Sequence, residues 1–339
     1  MAAPEPRGAA MRRREFIGLL GGAALAVPDF SGAQERVSKI GILSGYSESD
    51  PAGQASAVAF REGLKQLGWI EGRNIHVETR WAAADTALLQ QFAKELVAIQ
   101  PDLILSANTP TTAALLQQTR TIPIVFANVA DPVGDGFLAS LARPGGNVTG
   151  FSNLEASMAG KWVELLKEIA PNVTKVTAMF NPHSSPGHGA YFLGPMQTAA
   201  ASFGVQIVAA PVGDKSTIES VLAALARQPN AGLIVTPDSF LIRHRVEITS
   251  LAARHRIPAI YPFRMFAEVG GLVSYGSDLS DNYRRAAAYA DRILKGAKPN
   301  ELPVQAPVKF ELVVNLKTAR ALNILVPLAI QQRADEMIE

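Results

Sequence analysis

The two halves of this chain repeat each other, and that constrains the fold more than any other feature. Pro101-Asp-Leu-Ile-Leu-Ser-Ala-Asn-Thr-Pro110 returns as Pro229-Asn-Ala-Gly-Leu-Ile-Val-Thr-Pro-Asp238. Further along each half an Ile-Pro step opens a new apolar run, at Ile122-Pro123 and at Ile257-Pro258. The halves then close on Gly-Asn-Val-Thr-Gly150 and Gly-Leu-Val-Ser-Tyr275. Short β-branched runs alternate with amphipathic stretches in the same order both times. Such alternation gives parallel βαβ units with helices on both faces of the sheet. The expected fold is therefore α/β, with two similar doubly wound parallel-sheet lobes joined by a hinge and a ligand cleft between them.

The spacing places strands at Val37–Leu43, Ile75–Trp81, Leu103–Leu105, Ile124–Phe126, Lys175–Phe180, Val205–Ala210, Gly232–Val235 and Phe310–Asn315. It predicts long helices over 151–174, Ile242–His255 and Asp281–Lys295. Residues 34–152 read as the first lobe and 153–278 as the second, with 279–339 returning to the first. The hinge is expected near Phe151-Ser152 and Ser277-Asp278.

Residues 1–33 read as a twin-arginine signal peptide. Arg12-Arg13-Arg14-Glu15-Phe16 precedes an apolar run, Ile17 to Val27, and Ser31-Gly32-Ala33 offers a small-x-small cleavage site. Eleven apolar residues fall short of the ~20 that a membrane span needs. The chain has no cysteine, so neither a disulfide nor a lipidated N-terminal Cys is available. Both point to a freely diffusing periplasmic form. The net charge is +2, and the first 33 residues hold four arginines against Glu5, Glu15 and Asp29. The remainder is close to neutral, which argues against a nucleic-acid partner.

In open parallel sheets ligands bind beyond the carboxyl ends of the strands. The loops there hold Tyr46, Thr109, Thr111, Thr112, Asp131, Asn181, Ser184, Asp238 and Phe263. Thr109-Pro110-Thr111-Thr112 opens a helix, where hydroxyls and free N–H groups suit a carboxylate. The same residues also suit a plain N-cap with Pro at N1. Asp131 and Asp238 could each meet an ammonium; an Asx-turn accounts equally for Asp131 beside Pro132. Asn181 and Ser184 face the cleft if the strand ends at Phe180. Tyr46 and Phe263 offer faces for an apolar or aromatic group.

Other chemistry finds little support. Gly134-Asp-Gly136-Phe-Leu-Ala139 has dinucleotide-like spacing but follows the fourth strand, not the first. No phosphate-binding loop or nucleophile elbow is present. The histidines, His76, His183, His188, His244 and His255, are scattered, so neither zinc nor a Ser-His hydrolase assembles. No cofactor, metal or catalytic residue is expected.

Several stretches resemble the ABC transporter substrate-binding protein family, whose members include tryptophan/tyrosine-type binding proteins. They are Asp131-Pro-Val-Gly134, Leu141-Ala-Arg-Pro-Gly-Gly-Asn-Val-Thr-Gly150, Arg284-Arg285-Ala286 and Ile293-Leu-Lys-Gly-Ala-Lys-Pro299. Lys309-Phe-Glu-Leu-Val-Val-Asn-Leu-Lys-Thr-Ala319 and Arg333-Ala-Asp-Glu336 extend the match toward the end. The resemblance implies the two-lobed type I periplasmic binding protein fold. It implies a monomer that captures a small polar solute, an amino acid or aromatic acid, for an ABC permease in the inner membrane. Ligand contacts in similar amino-acid binders map onto Thr109, Thr111, Thr112 and Asp238. Two other roles remain open on sequence grounds: a ligand-sensing receptor coupled to a membrane signalling protein, and an exported hydrolase.

Overall fold

The computed structural model describes residues 1–2 and 36–339. The segment read as an export signal lies, beyond its first two residues, outside them. Among the described residues no helix is long and apolar enough to cross a membrane.

Two sheets organise the chain. The first holds β1 (Ser38–Ser44), β2 (Ile75–Trp81), β3 (Leu103–Ser106), β4 (Ile124–Val129) and β5 (Val148–Ser152) in the order β2-β1-β3-β4-β5, all parallel. The second holds β6 (Lys175–Phe180), β7 (Gln206–Pro211), β8 (Ala231–Val235), β9 (Ala259–Tyr261), β10 (Val273–Ser277), β11 (Phe310–Asn315) and β12 (Glu336–Ile338). Its order is β12-β11-β10-β9-β8-β6-β7. The run β7-β6-β8-β9-β10 reproduces the first sheet strand for strand, so the repeat in the sequence is a repeat in topology. β3, β4 and β5 are buried along their whole length, as strands covered on both faces must be.

Helices start where short polar side chains can take up free N–H groups. Asp50 accepts from Ala52 N at 2.9 Å and Gly53 N at 3.4 Å, with Pro51 at N1. Asn108 caps Thr109–Gln118 in a capping box with Thr111, and Asp238 caps Ser239–Arg243. The expected helix over 151–174 is shorter. Residues 151–152 complete β5, and the helix is Met158–Ile169. Ile242–His255 likewise breaks at His244 into Ser239–Arg243 and Arg245–Arg254.

Residues 279–339, expected to return to the first lobe, divide between the two sheets: β11 and β12 join the second. Helix Leu279–Leu294 packs against helix Pro51–Gln66 of that lobe, closely enough that a Cβ on Gly63 would stand 2.7 Å from Ala287 Cβ. Gln305 then bridges β5, accepting from Ser152 N at 2.9 Å and donating to Gly150 O at 3.0 Å. That occupies the edge of the first sheet. The free edge is that of β10, and β11 pairs with it antiparallel, followed by β12 in parallel with β11. The chain therefore crosses between lobes three times, after β5, after β10 and before β11.

Gly150, just before the first crossing, has φ +155°, and a Cβ there would stand 2.1 Å from the Phe126 carbonyl oxygen. Gly150→Ala must push β4 and β5 apart. It is expected to cost ~3 kcal/mol of stability in urea unfolding; a midpoint equal to that of the parent chain would contradict this close approach.

Candidate functional site

The carboxyl ends of both sheets face each other across a cavity of ≈ 250 Å³. The first lobe supplies Tyr46, Asp50, Thr109 and Asn128; the crossing after β5 supplies Asn153. The second lobe supplies Ser184, Asp238, Ile242, Arg243 and Phe263. Alanines and prolines fill much of the remaining wall, and Ser47, Asn108 and Ser239 add further polar groups, so the cavity offers both apolar and polar surface.

Five of the nine sequence-predicted residues line this cavity: Tyr46, Thr109, Ser184, Asp238 and Phe263. Thr109 is the first residue of its helix. Phe263 is 2% exposed and stands just ahead of helix Arg264–Glu268. Burial pushes the Tyr46 hydroxyl well above its ordinary range, with the Asp50 carboxylate adding to the effect and Arg245 opposing it. Tyr46 is therefore a neutral hydroxyl at the cleft.

The other four do not line it, although Asn181 lines an adjoining pocket together with Asn108, Ser184 and Ser239. Thr111 and Thr112 are fully buried; both hydroxyls lie 2.7 Å from Ser106 Oγ, and both donate to Asn108 O. They brace the loop beneath the cavity. Asp131 turns back on its own loop, Oδ1 accepting from Gly134 N at 2.8 Å, as an Asx-turn does. Asn181 is spent on backbone: Nδ2 donates to Val212 O, and Oδ1 accepts from His183 N and Ser184 N.

Asp238 has a double role. Its Oδ1 accepts from Leu241 N at 2.7 Å and Ser184 Oγ at 3.2 Å, and its Oδ2 accepts from Asn181 N at 3.0 Å. It ties the loops after β6 and β8 together and still borders the cavity. Burial pushes its carboxyl up to about 7, against the pull of those hydrogen bonds.

Three groups that the sequence reading did not single out matter as much. Asp50 and Arg245 form an ion pair across the cleft, Oδ2 to Nη2 at 2.8 Å, with side chains only 12% and 11% exposed. Tyr191 Oη donates to Ala130 O at 3.3 Å, a second contact between lobes. Asn128 and Asn153 stand at the ends of β4 and β5, inside the loops where strand-end logic looks for ligands. Asparagine is so common in turns that neither stood out from its neighbours.

Two lobes closed on a small cavity describe a capture device, and sequence comparison agrees. Residues 44–338 match the ABC transporter substrate binding protein family. The chain belongs to that family. It is 26% identical over 264 residues to the tyrosine-binding protein of Clostridioides difficile (strain R20291), covering 78% of this chain and 75% of the relative. The ABC domain from Streptococcus pneumonia in complex with L-Trp is 26% identical, with a TM-score of 0.81 over 89% of this chain and 99% of that one. The ligand-free, open form of a substrate binding protein with adhesive properties from Clostridium difficile is 25% identical over the same shares, with a TM-score of 0.67. At equal coverage, this substrate-binding protein is the more similar to the ligand-bound structure, in keeping with its own cross-cleft contacts.

Proposed function

We propose that this substrate-binding protein serves an ABC importer outside the cytoplasm and captures an amino acid with a large, aromatic side chain. The observation that carries the reading is the small interlobe cavity, walled by Phe263, Tyr46 and Ile242 and furnished with polar groups from both lobes. At ≈ 250 Å³ it lies near the lower end of small-molecule pockets, about 300–1,000 Å³. A single amino acid suits it better than an oligopeptide. The names of the tryptophan- and tyrosine-binding relatives support the same class. Closure around the ligand supplies the differential contacts that a lobe rotation needs. No covalent step is required, and the work of the site is to hold and release. Export through the twin-arginine route and delivery to an inner-membrane permease complete the reading.

Thermal unfolding of the chain from Gln34 onward, with L-tryptophan, L-tyrosine, polyols and benzoate in parallel, tests it. A ligand at about 100 times its Kd stabilises by ~2.7 kcal/mol, a rise of several degrees for a chain of this size. The aromatic amino acids are expected to give that rise. A rise with polyols alone would overturn the amino-acid reading.

A further inference from the structure

The polar groups around the cavity are unevenly committed. Both carboxylates are already engaged. Asp50 caps its helix with Oδ1 and pairs with Arg245 through Oδ2. Asp238 accepts from three donors. The donors are the uncommitted side. The Arg243 side chain makes no ion pair or hydrogen bond among the described residues, although it borders the cavity.

The hinge holds the most telling pair. Asn282 Nδ2 donates to Ser152 O at 3.0 Å and to Asn128 Oδ1 at 2.9 Å. The Ser152 carbonyl can only accept, so the orientation of the Asn282 amide is settled, and with it that of Asn128. Asn128 is 8% exposed and lines the cavity, and its Nδ2 is the end left without an acceptor among the described residues. Asn153 is also 8% exposed and lines the same cavity, one strand over; its backbone N donates to Val129 O. Its side-chain amide makes no hydrogen bond among the described residues; its Oδ1, an acceptor, is buried without a donor, and since no bond holds the amide in that orientation, a half-turn about its last side-chain torsion brings the donor Nδ2 to the same place. A buried amide left idle loses hydrogen-bonding free energy that a ligand can restore.

We propose that the Asn128 and Asn153 side-chain amides at the hinge seat the carboxylate of the ligand, with Arg243 adding positive charge at the same cavity. The inference rests on the amino-acid reading above and deepens it: the carboxylate is the indispensable polar group of the ligand, and the ammonium is secondary. Asn128 lies on β4 of the first lobe and Asn153 on the connecting segment. The carboxylate therefore docks before the second lobe closes with Phe263 and Asp238.

Titration calorimetry at pH 8 with L-tryptophan, indole-3-propionate (no ammonium) and tryptamine (no carboxylate) tests this. The parent chain should bind the two carboxylates and discriminate against tryptamine by about tenfold or more. Asn128→Asp keeps the oxygen to which Asn282 donates and places a negative charge at the seat. Both it and Asn153→Asp should weaken the two carboxylates by about tenfold or more and shift preference toward tryptamine. Asn153→Ser, the milder change should Asn153→Asp fail to fold, should weaken the carboxylates without improving tryptamine. If folded variants keep the parent's affinity for L-tryptophan, the carboxylate seat is elsewhere and only this inference falls. If the parent chain binds none of the three and responds to a ligand without a carboxylate, the amino-acid reading falls and this inference falls with it.

Discussion

Arg245→Ala is expected to release the lobes from each other and to weaken ligand binding by about tenfold or more. Arg245 reaches Asp50 across the cleft at 2.8 Å, and both side chains are nearly buried in the closed form. Removing one partner of such a pair leaves the other charged and dry, at a cost of about 3–5 kcal/mol if the structure cannot adjust. Here it can adjust, because opening returns Asp50 to water. The penalty therefore falls on the closed state, and the closed fraction drops. Apparent affinity falls with the fraction of molecules able to close. Arg245 Nε is buried without an acceptor, so opening would return it to water as well. Small-angle scattering of the ligand-free protein should show a larger radius of gyration in the variant. Asp50→Asn, which keeps an oxygen for the cap at Ala52 and Gly53, should behave in the same way, and the double variant should be no worse than either single one. Unchanged scattering and affinity in Arg245→Ala would mean that the pair contributes nothing to closure.

Asp238 should leave a distinct mark on the pH dependence of stability. Its carboxyl releases its proton at about 7 when folded, whereas an unfolded aspartate does so near ~3.9. Between these values the folded chain holds a proton that the unfolded chain has lost. The contribution of this group is full below about pH 4 and is lost as pH rises toward 7, at ~1.4 kcal/mol per unit. That amounts to ~2 kcal/mol between pH 5 and pH 7. Asp238→Asn cannot titrate, so the difference in urea midpoint between those two pH values should shrink by that amount relative to the parent chain. At either pH the variant is also weaker, because its Nδ2, a donor, must replace one carboxylate oxygen and face a donor: Asn181 N in one orientation, Leu241 N and Ser184 Oγ in the other. An unmet buried donor costs about 1–3 kcal/mol. Equal pH slopes in the two proteins would show that Asp238 ionises normally and that its hydrogen bonds outweigh its burial.

Much of the lobe architecture was legible because it is written locally. Leu103–Ser106 and Ile124–Val129 are short apolar runs bounded by turn residues, and runs of that kind become buried parallel strands wherever helices flank them. The matching order of signals in both halves then implied matching sheets. The destination of the last strands was not local information. Phe310–Asn315 reads as a strand in either lobe, and its placement depends on which sheet edge is still free once Gln305 has bridged β5.

The candidate site divides along the same line. Asp238 and Thr109 follow directly from the rule that ligands meet strand ends. Asp131 satisfies the same rule and yet is spent on Gly134 N, since a neighbouring N–H three residues on competes with any ligand. Asn128, by contrast, is turned toward the cavity by Asn282, a residue from a distant helix. Asp50 and Arg245 likewise meet only because two loops converge from different lobes. Single-residue reading cannot anticipate pairings of that kind.

Three crossings between lobes are an odd number, so the strand that begins the fold and the strand that ends it lie on opposite sides of the hinge. β1 belongs to one sheet and β12 to the other. A fluorescent donor attached ahead of Ser38 and an acceptor attached after Ile338 would therefore be carried by different lobes. Their energy transfer would follow opening and closing directly, with no label placed inside the cleft. An even number of crossings, such as the two expected from sequence, would have fixed both ends to the same half and left such a pair silent.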